Sequence, residues 1–155
     1  MPIKDIIPFV NPCDIEFSGW DISEKNMYEA ARRAKVLEPD CIRQLKEDLE
    51  KIVPLPAALN GDYIASNQED RATNVLRGTN AEIVKKLRED IQNMKKRNDS
   101  VVILWTANTE KYMLPAMTEV DDLLKKIETN QPLPASVLYC VAAIEEGVLY
   151  LNGSP

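Results

Sequence analysis

The chain has 155 residues, 45% hydrophobic and 28% charged, with a formal net charge of −6 and no histidine. That is enough chain for one domain with a core, and an acidic balance whose longest basic run is Lys95-Lys96-Arg97 argues against nucleic acid or an anionic membrane as partner. Without imidazole there is no His-based zinc site and no triad with histidine as base.

Cys13, Cys41 and Cys140 are odd in number and widely spaced. They make a poor metal site and point to a reduced, cytoplasmic compartment. No apolar run approaches the roughly 18 residues of a membrane span. The opening MPIKDIIPFV carries Asp5 and lacks a secretory core, so no signal peptide is expected.

Taken in order, residues 3–20 are short apolar pieces cut by Pro8 and Pro12. Ile15 and Phe17 alternate with Asp14 and Glu16, which predicts a short strand at 14–17. Asp21 follows, either as an acid aimed at a ligand hydroxyl or as a helix-start acid favoured by the dipole. Ser23 is the expected N-cap of a helix over 24–35. Met27, Ala30, Ala31 and Ala34 form a small-residue stripe suited to packing on a sheet. Glu38-Pro39 opens a second helix, along which Ile42, Leu45, Leu49 and Ile52 form one apolar face.

Val53-Pro54-Leu55-Pro56 ends that helix in an extended segment. The stretch 63–74 is dense in Asn, Gln, Asp and Arg. Within it Arg71 is suited either to clamping a phosphate or carboxylate or to pairing with Asp70 or Glu69. Thr79 and Glu82 form a capping box for a helix over 80–97, with Ile83, Val84, Leu87, Ile91 and Met94 on its core face. Asn98-Asp99-Ser100 then leads into Val101, Val102, Ile103, Leu104 and Trp105. Five apolar residues without alternation predict a strand buried on both faces. Helix, tight loop and apolar strand make one crossover step of a parallel sheet. The polar run 106–110 would lie at the strand's carboxyl end, where ligands bind in open α/β sheets, or it is a loop leaving the core.

Thr118 is the expected cap of a helix carrying Val120, Leu123, Leu124 and Ile127, with Asp121 in the capping-box position. Gln131-Pro132-Leu133-Pro134 leads into a helix with Val137, Leu138, Val141, Ala142 and Ile144, stopped by Gly147. Val148-Leu149-Tyr150-Leu151 reads as another buried strand, running into Asn152-Gly153-Ser154-Pro155.

Several of these segments together resemble one family. They are Phe9-Val10-Asn11-Pro12, Gly19-Trp20-Asp21-Ile22-Ser23, Arg33-Ala34-Lys35-Val36-Leu37, the run Ile64 to Ala72 (IASNQEDRA), the run Leu104 to Glu110 (LWTANTE) and Leu151-Asn152-Gly153-Ser154-Pro155. In their order and spread over nearly the whole chain they resemble the myo-inositol-1-phosphate synthase (inositol-3-phosphate synthase) family. The resemblance implies an α/β, Rossmann-like, mostly parallel sheet with helices on both faces, with 1–155 part of a single NAD-binding domain whose first glycine-rich βαβ unit is absent. It implies an NAD-dependent isomerase converting D-glucose 6-phosphate to 1D-myo-inositol 3-phosphate, in the cytoplasm, as a homotetramer when intact. In the family, NAD takes a hydride from carbon 5 of the sugar, carbon 6 closes onto carbon 1, and the same NADH reduces the ring ketone.

Carried across residue by residue, the resemblance assigns cofactor contacts and no catalytic residue. Asp21 matches the ribose-binding aspartate, Gln68 and Arg71 the cofactor-lining pair, Thr106, Ala107, Asn108 and Thr109 the nucleotide-binding turn, and Gly153 and Ser154 the closing turn. Three departures stand beside these matches. No G-x-G-x-x-G occurs among the five glycines. The family's essential lysines and tetramer-forming sheet lie beyond Asn-Gly-Ser-Pro. Ala57-Ala58 stands where the family usually has Ser-Ile, which removes a hydroxyl near NAD, whereas Ser66 in place of alanine looks benign. The resemblance therefore covers an internal piece of the NAD-binding domain. The alternative to an incompletely represented enzyme is a non-catalytic fragment that binds nucleotide weakly or pairs with family subunits.

Overall fold

The structure, a computed structural model, describes residues 3–112 and 119–154. The chain divides into two compact units, one of residues 1–20 and 24–55, the other of residues 21–23 and 56–155.

The first unit holds three short helices, α1 (Met27–Ala34), α2 (Pro39–Gln44) and α3 (Lys46–Lys51), which pack on one another. The strand expected at 14–17 is not formed. Pro12–Asp14 is a 3-10 turn capped by Asn11, and Ile15 and Phe17 are exposed. The first strand is instead β1 (Trp20–Asp21), which pairs with β2 (Leu55–Pro56).

The cap of α1 is Asn26 rather than Ser23. The Ser23 amide donates to Asp21 Oδ1 at 2.8 Å, so the chain is still turning there. Asn26 then accepts from the Glu29 amide at 3.0 Å while Glu29 accepts from the Asn26 amide at 3.2 Å, a complete capping box. The small-residue stripe of α1 is not core, since no residue of the helix is fully buried. The expected second helix is split at Leu45, whose backbone (φ −92°, ψ 6°) leaves the helical region. Ile42 is buried, but Leu45 is exposed, so the predicted face does not run continuously.

The second unit carries the larger core. Its principal helix is α5 (Asn80–Lys95), preceded by the single turn α4 (Ser66–Glu69). The Thr79 hydroxyl accepts from the Glu82 amide and Glu82 accepts from the Thr79 amide, as the sequence predicted. Ile83, Val84, Leu87, Ile91 and Met94 are all buried. They pack on α7 (Ala135–Glu145), while α6 (Val120–Glu128) lies against α5. Leu133, Leu138, Val141 and Ala142 complete this core, but Ile144 is exposed, as are Val120 and Leu124 on α6. The Thr118 cap lies outside the described residues. Glu146 locks the far end of α7 to α5, accepting from Arg88 at 2.8 Å and, through its carbonyl, from Lys95 at 2.6 Å. Gly147 (φ 65°) ends α7 in the left-handed conformation that its position predicted.

Strands β3 (Val102–Trp105) and β4 (Leu149–Asn152) pair in parallel, Val102 opposite Leu149 and Trp105 opposite Asn152. A second parallel bridge joins Ala57 to Val75. The buried side of β3–β4 faces α7: the Trp105 ring lies 5.4 Å from Tyr139, and the Tyr150 hydroxyl donates to the Ser136 carbonyl. The double-sided burial expected for both strands does not hold. Ile103 is 6% exposed, whereas Val102 and Leu104 are 54% and 59% exposed and Leu149 and Leu151 are exposed beside them. Strand side chains alternate between faces, so one face is packed and the other is bare hydrocarbon.

Candidate functional site

The expected site residues all belong to the second unit. Asp21, Arg71, Thr106, Ala107, Asn108, Thr109 and Gly153 are exposed, and Gln68 and Ser154 are half-buried. The turn 106–109 does leave the carboxyl end of β3, and 153–154 leaves the carboxyl end of parallel β4 beside it. Two strands running the same way thus deliver two polar turns to one edge.

The structure joins these turns directly. The Gly153 amide donates to the Trp105 carbonyl at 2.9 Å, and the Ser154 hydroxyl donates to the Ala107 carbonyl. A Cβ on residue 153 would meet that Trp105 carbonyl at 3.2 Å, so the close backbone approach favours glycine there.

Asp21 lies in β1 and its carboxylate accepts from the Ser23 amide. It is not a helix-start acid, because α1 begins only at Met27. Asn74 connects it to the polar stretch after α4. The Asn74 side chain donates to the Asp21 carbonyl at 3.1 Å, and its amide donates to the Ile22 carbonyl at 2.8 Å. Asn74 in turn accepts from the Ala57 amide, and the neighbouring Ala58 amide donates to the Tyr139 hydroxyl at 3.1 Å. Tyr139 stacks beside Trp105, so a continuous path runs from Asp21 to the end of β3. Burial raises the Tyr139 hydroxyl well above its ordinary basicity, outweighing the opposing pull of the Ala58 amide.

Among the described residues, no hydrogen bond joins Gln68 or Arg71 themselves to the 106–109 and 153–154 turns, and the link to their segment is through flanking backbone. The Lys111 amide donates to the Tyr63 carbonyl at 2.8 Å, tying the chain just past the 106–109 turn to the chain just ahead of α4. These links run through flanking groups. Sequence reasoning gave no role to Asn74, Tyr139 or Glu110, all of which tie the predicted segments together. For Glu110 a signal existed: α7 starts at a proline that supplies no side-chain acceptor, so its first amides need one from elsewhere.

An open depression lined by Arg77, Gly78, Glu82, Lys85, Lys86 and Glu89 contains none of the predicted residues. Asp90 at 3.1 Å holds the Lys86 ammonium above its usual basicity.

Hydroxyls and an amide at the end of a parallel pair, with the Asp21 carboxylate on β1 of the other sheet, suit the ribose and amide groups of a dinucleotide. They do not supply a glycine-rich cradle for its pyrophosphate. A family model described as myo-inositol-1-phosphate synthase, an NAD-binding domain, matches residues 1–155. The chain belongs to the myo-inositol-1-phosphate synthase family. Inositol-3-phosphate synthase 1 of Oryza sativa subsp. japonica is 45% identical over 160 residues, covering 99% of this chain and 31% of the relative. Inositol-3-phosphate synthase 1-A of Xenopus laevis is 46% identical, covering 100% of this chain and 28% of the relative. The crystal structure of inositol-3-phosphate synthase from Caenorhabditis elegans superposes with a TM-score of 0.90 at 43% identity, covering 99% of this chain and 32% of that one. The chain thus spans about a third of the length of these synthases, and its α/β architecture is the Rossmann-like one of their NAD-binding domain.

Proposed function

We propose that residues 1–155 form part of a single NAD-binding domain of an inositol-3-phosphate synthase. The intact protein would convert D-glucose 6-phosphate to 1D-myo-inositol 3-phosphate and act as a homotetramer in the cytoplasm. The observation that carries the reading is the joined edge at the ends of β3 and β4, where the Gly153 amide and the Ser154 hydroxyl bond to the carbonyls of Trp105 and Ala107. Asp21, Gln68, Arg71, Thr106, Ala107, Asn108, Thr109, Gly153 and Ser154 would hold NAD there. When bound there, NAD would supply the hydride-transfer chemistry of the isomerisation.

What this chain contributes is binding and orientation. Asp21 keeps one carboxylate oxygen on the Ser23 amide, which fixes its direction, and the other would accept from a ribose hydroxyl. The hydroxyls of Thr106, Thr109 and Ser154 offer both donors and acceptors. Proton removal from the sugar needs a base with depressed basicity, and such help is typically worth about 10²–10⁴-fold. Lys85, Lys86, Lys95 and Lys96 are exposed, and Lys86 is shifted in the opposite direction. None of them suits that role.

The purified chain is therefore expected to give no inositol release from glucose 6-phosphate with NAD and phosphatase. NAD added to it should still perturb the amide resonances of 106–109 and 153–154. Turnover at the level of an intact synthase would overturn the assignment of the chemistry to residues outside this chain. A chain whose site resonances ignore NAD would instead favour the subunit-interaction module, the reading to which the bare face of β3–β4 lends itself.

A further inference from the structure

Glu110 is half-buried and follows the 106–109 turn directly. Its carboxylate accepts from the Ala135 amide at 2.7 Å and from the Ser136 amide at 3.3 Å and 3.4 Å, and it also receives the Ser136 hydroxyl. Ala135 and Ser136 open α7, and Pro134 ahead of them provides no side-chain cap. The first amides of a helix have no partner within it and carry its positive end. Glu110 fills both needs from 25 residues upstream. One residue on, the Lys111 amide reaches the Tyr63 carbonyl at 2.8 Å, while the Tyr63 hydroxyl donates to the Pro132 carbonyl at 3.2 Å. The 110–111 link is thus anchored on α7 in one direction and on the approach to α4 in the other.

We propose that Glu110 is a positioning residue for the dinucleotide. It acts by clamping the 106–109 turn to the start of α7 and so in register with the segment carrying Gln68 and Arg71. The proposal rests on the reading of 106–109 as a cofactor contact. Both carboxylate oxygens are engaged within the protein, so Glu110 works through the turn and not on the nucleotide. The turn itself is exposed, and the 153–154 turn tethers it from the other side. Among the described residues, Glu110 is the charged group that anchors it. Without the carboxylate, the turn's apparent affinity for a ligand falls with the fraction of time it spends in place.

The test compares the wild-type chain with Glu110→Ala and Glu110→Gln. Glutamine keeps one carbonyl oxygen for the Ala135 amide but loses the charge and the second acceptor. Hydrogen exchange at 106–109 is followed by NMR beside an NAD titration. The α5 amides of Leu87 and Ile91 report whether the core remains folded. In Glu110→Ala, exchange at 106–109 should rise and NAD affinity fall by about tenfold or more. Glu110→Gln should recover part of both, and α5 protection should hold. Unchanged NAD affinity in Glu110→Ala, or exchange that rises equally in α5, overturns the positioning role alone. A wild-type chain whose 106–109 resonances ignore NAD overturns the site reading, and with it any role of Glu110 toward the nucleotide.

Discussion

Tyr139 illustrates what a single hydroxyl does in this chain. Its ring packs beside Trp105, and its oxygen takes the amide of Ala58, a residue that is 3% exposed. Tyr139→Phe keeps the packing and strands that amide in the core, so urea unfolding should show a loss of about 1–3 kcal/mol. Burial raises the hydroxyls of Tyr139 and Tyr150 above their ordinary value of 10.0. The folded chain therefore holds these protons more tightly than the unfolded one. The stability they contribute is complete below about pH 10 and is lost as pH rises further. Tyr139→Phe should flatten the alkaline limb of a stability profile, and a limb unchanged by the substitution would assign it to other groups. The ring of Tyr139 could have been read as core from its place on α7. Its bond to a residue 81 positions away could not, because no local pattern encodes such a partner. Asp21 shows the opposite case: its candidacy was visible, but its place in a strand was not, since two residues are too few for a period.

Among the elements, legibility followed how many local signals agreed. On α5 the capping box, the apolar spacing and the length all pointed one way, and every predicted core residue is buried. On the helix expected after Pro39 the proline start and the apolar spacing were present but no side-chain cap, and the chain breaks at Leu45. At 14–17 alternation was real, but a strand needs a neighbour to pair with, and none of that is written locally. Strand β3 was recognised and only its surroundings were misjudged. An apolar run records what the strand can be buried against, which is not a property of the strand alone. This contrast is measurable. Ile103→Ala should cost about 2–4 kcal/mol, while Leu104→Ala, one residue on and 59% exposed, should cost less than about 1 kcal/mol. Equal losses in thermal melts would mean that both faces of β3 are packed in solution.

At the scale of the whole chain, the ordered motifs from Phe9 to Ser154 identified the family, and 43% identity with a TM-score of 0.90 to the nematode synthase bears that out. Composition alone reached no further than an acidic globular chain, and the helix, loop and strand pattern added the α/β class. The edge holding 106–109 and 153–154 was visible in outline, because each turn follows an apolar run. The ties made by Asn74 and Tyr139 were not, because each closes a long loop, and for Glu110 the only signal was the uncapped start of α7.

The bare face formed by Val102, Leu104, Leu149 and Leu151 also has a calorimetric signature. The heat-capacity increase on unfolding comes from apolar surface newly given to water, and ordinary globular chains show about 12–15 cal/mol/K per residue. Water already reaches about half of each of these four side chains in the folded state, and more than half of Ile6, Phe9 and Phe17 in the first unit. Melting the protein therefore adds less hydration at them than at buried side chains. The increment per residue should fall below that range, and the stability curve should be flatter with temperature than for a fully covered domain of 155 residues.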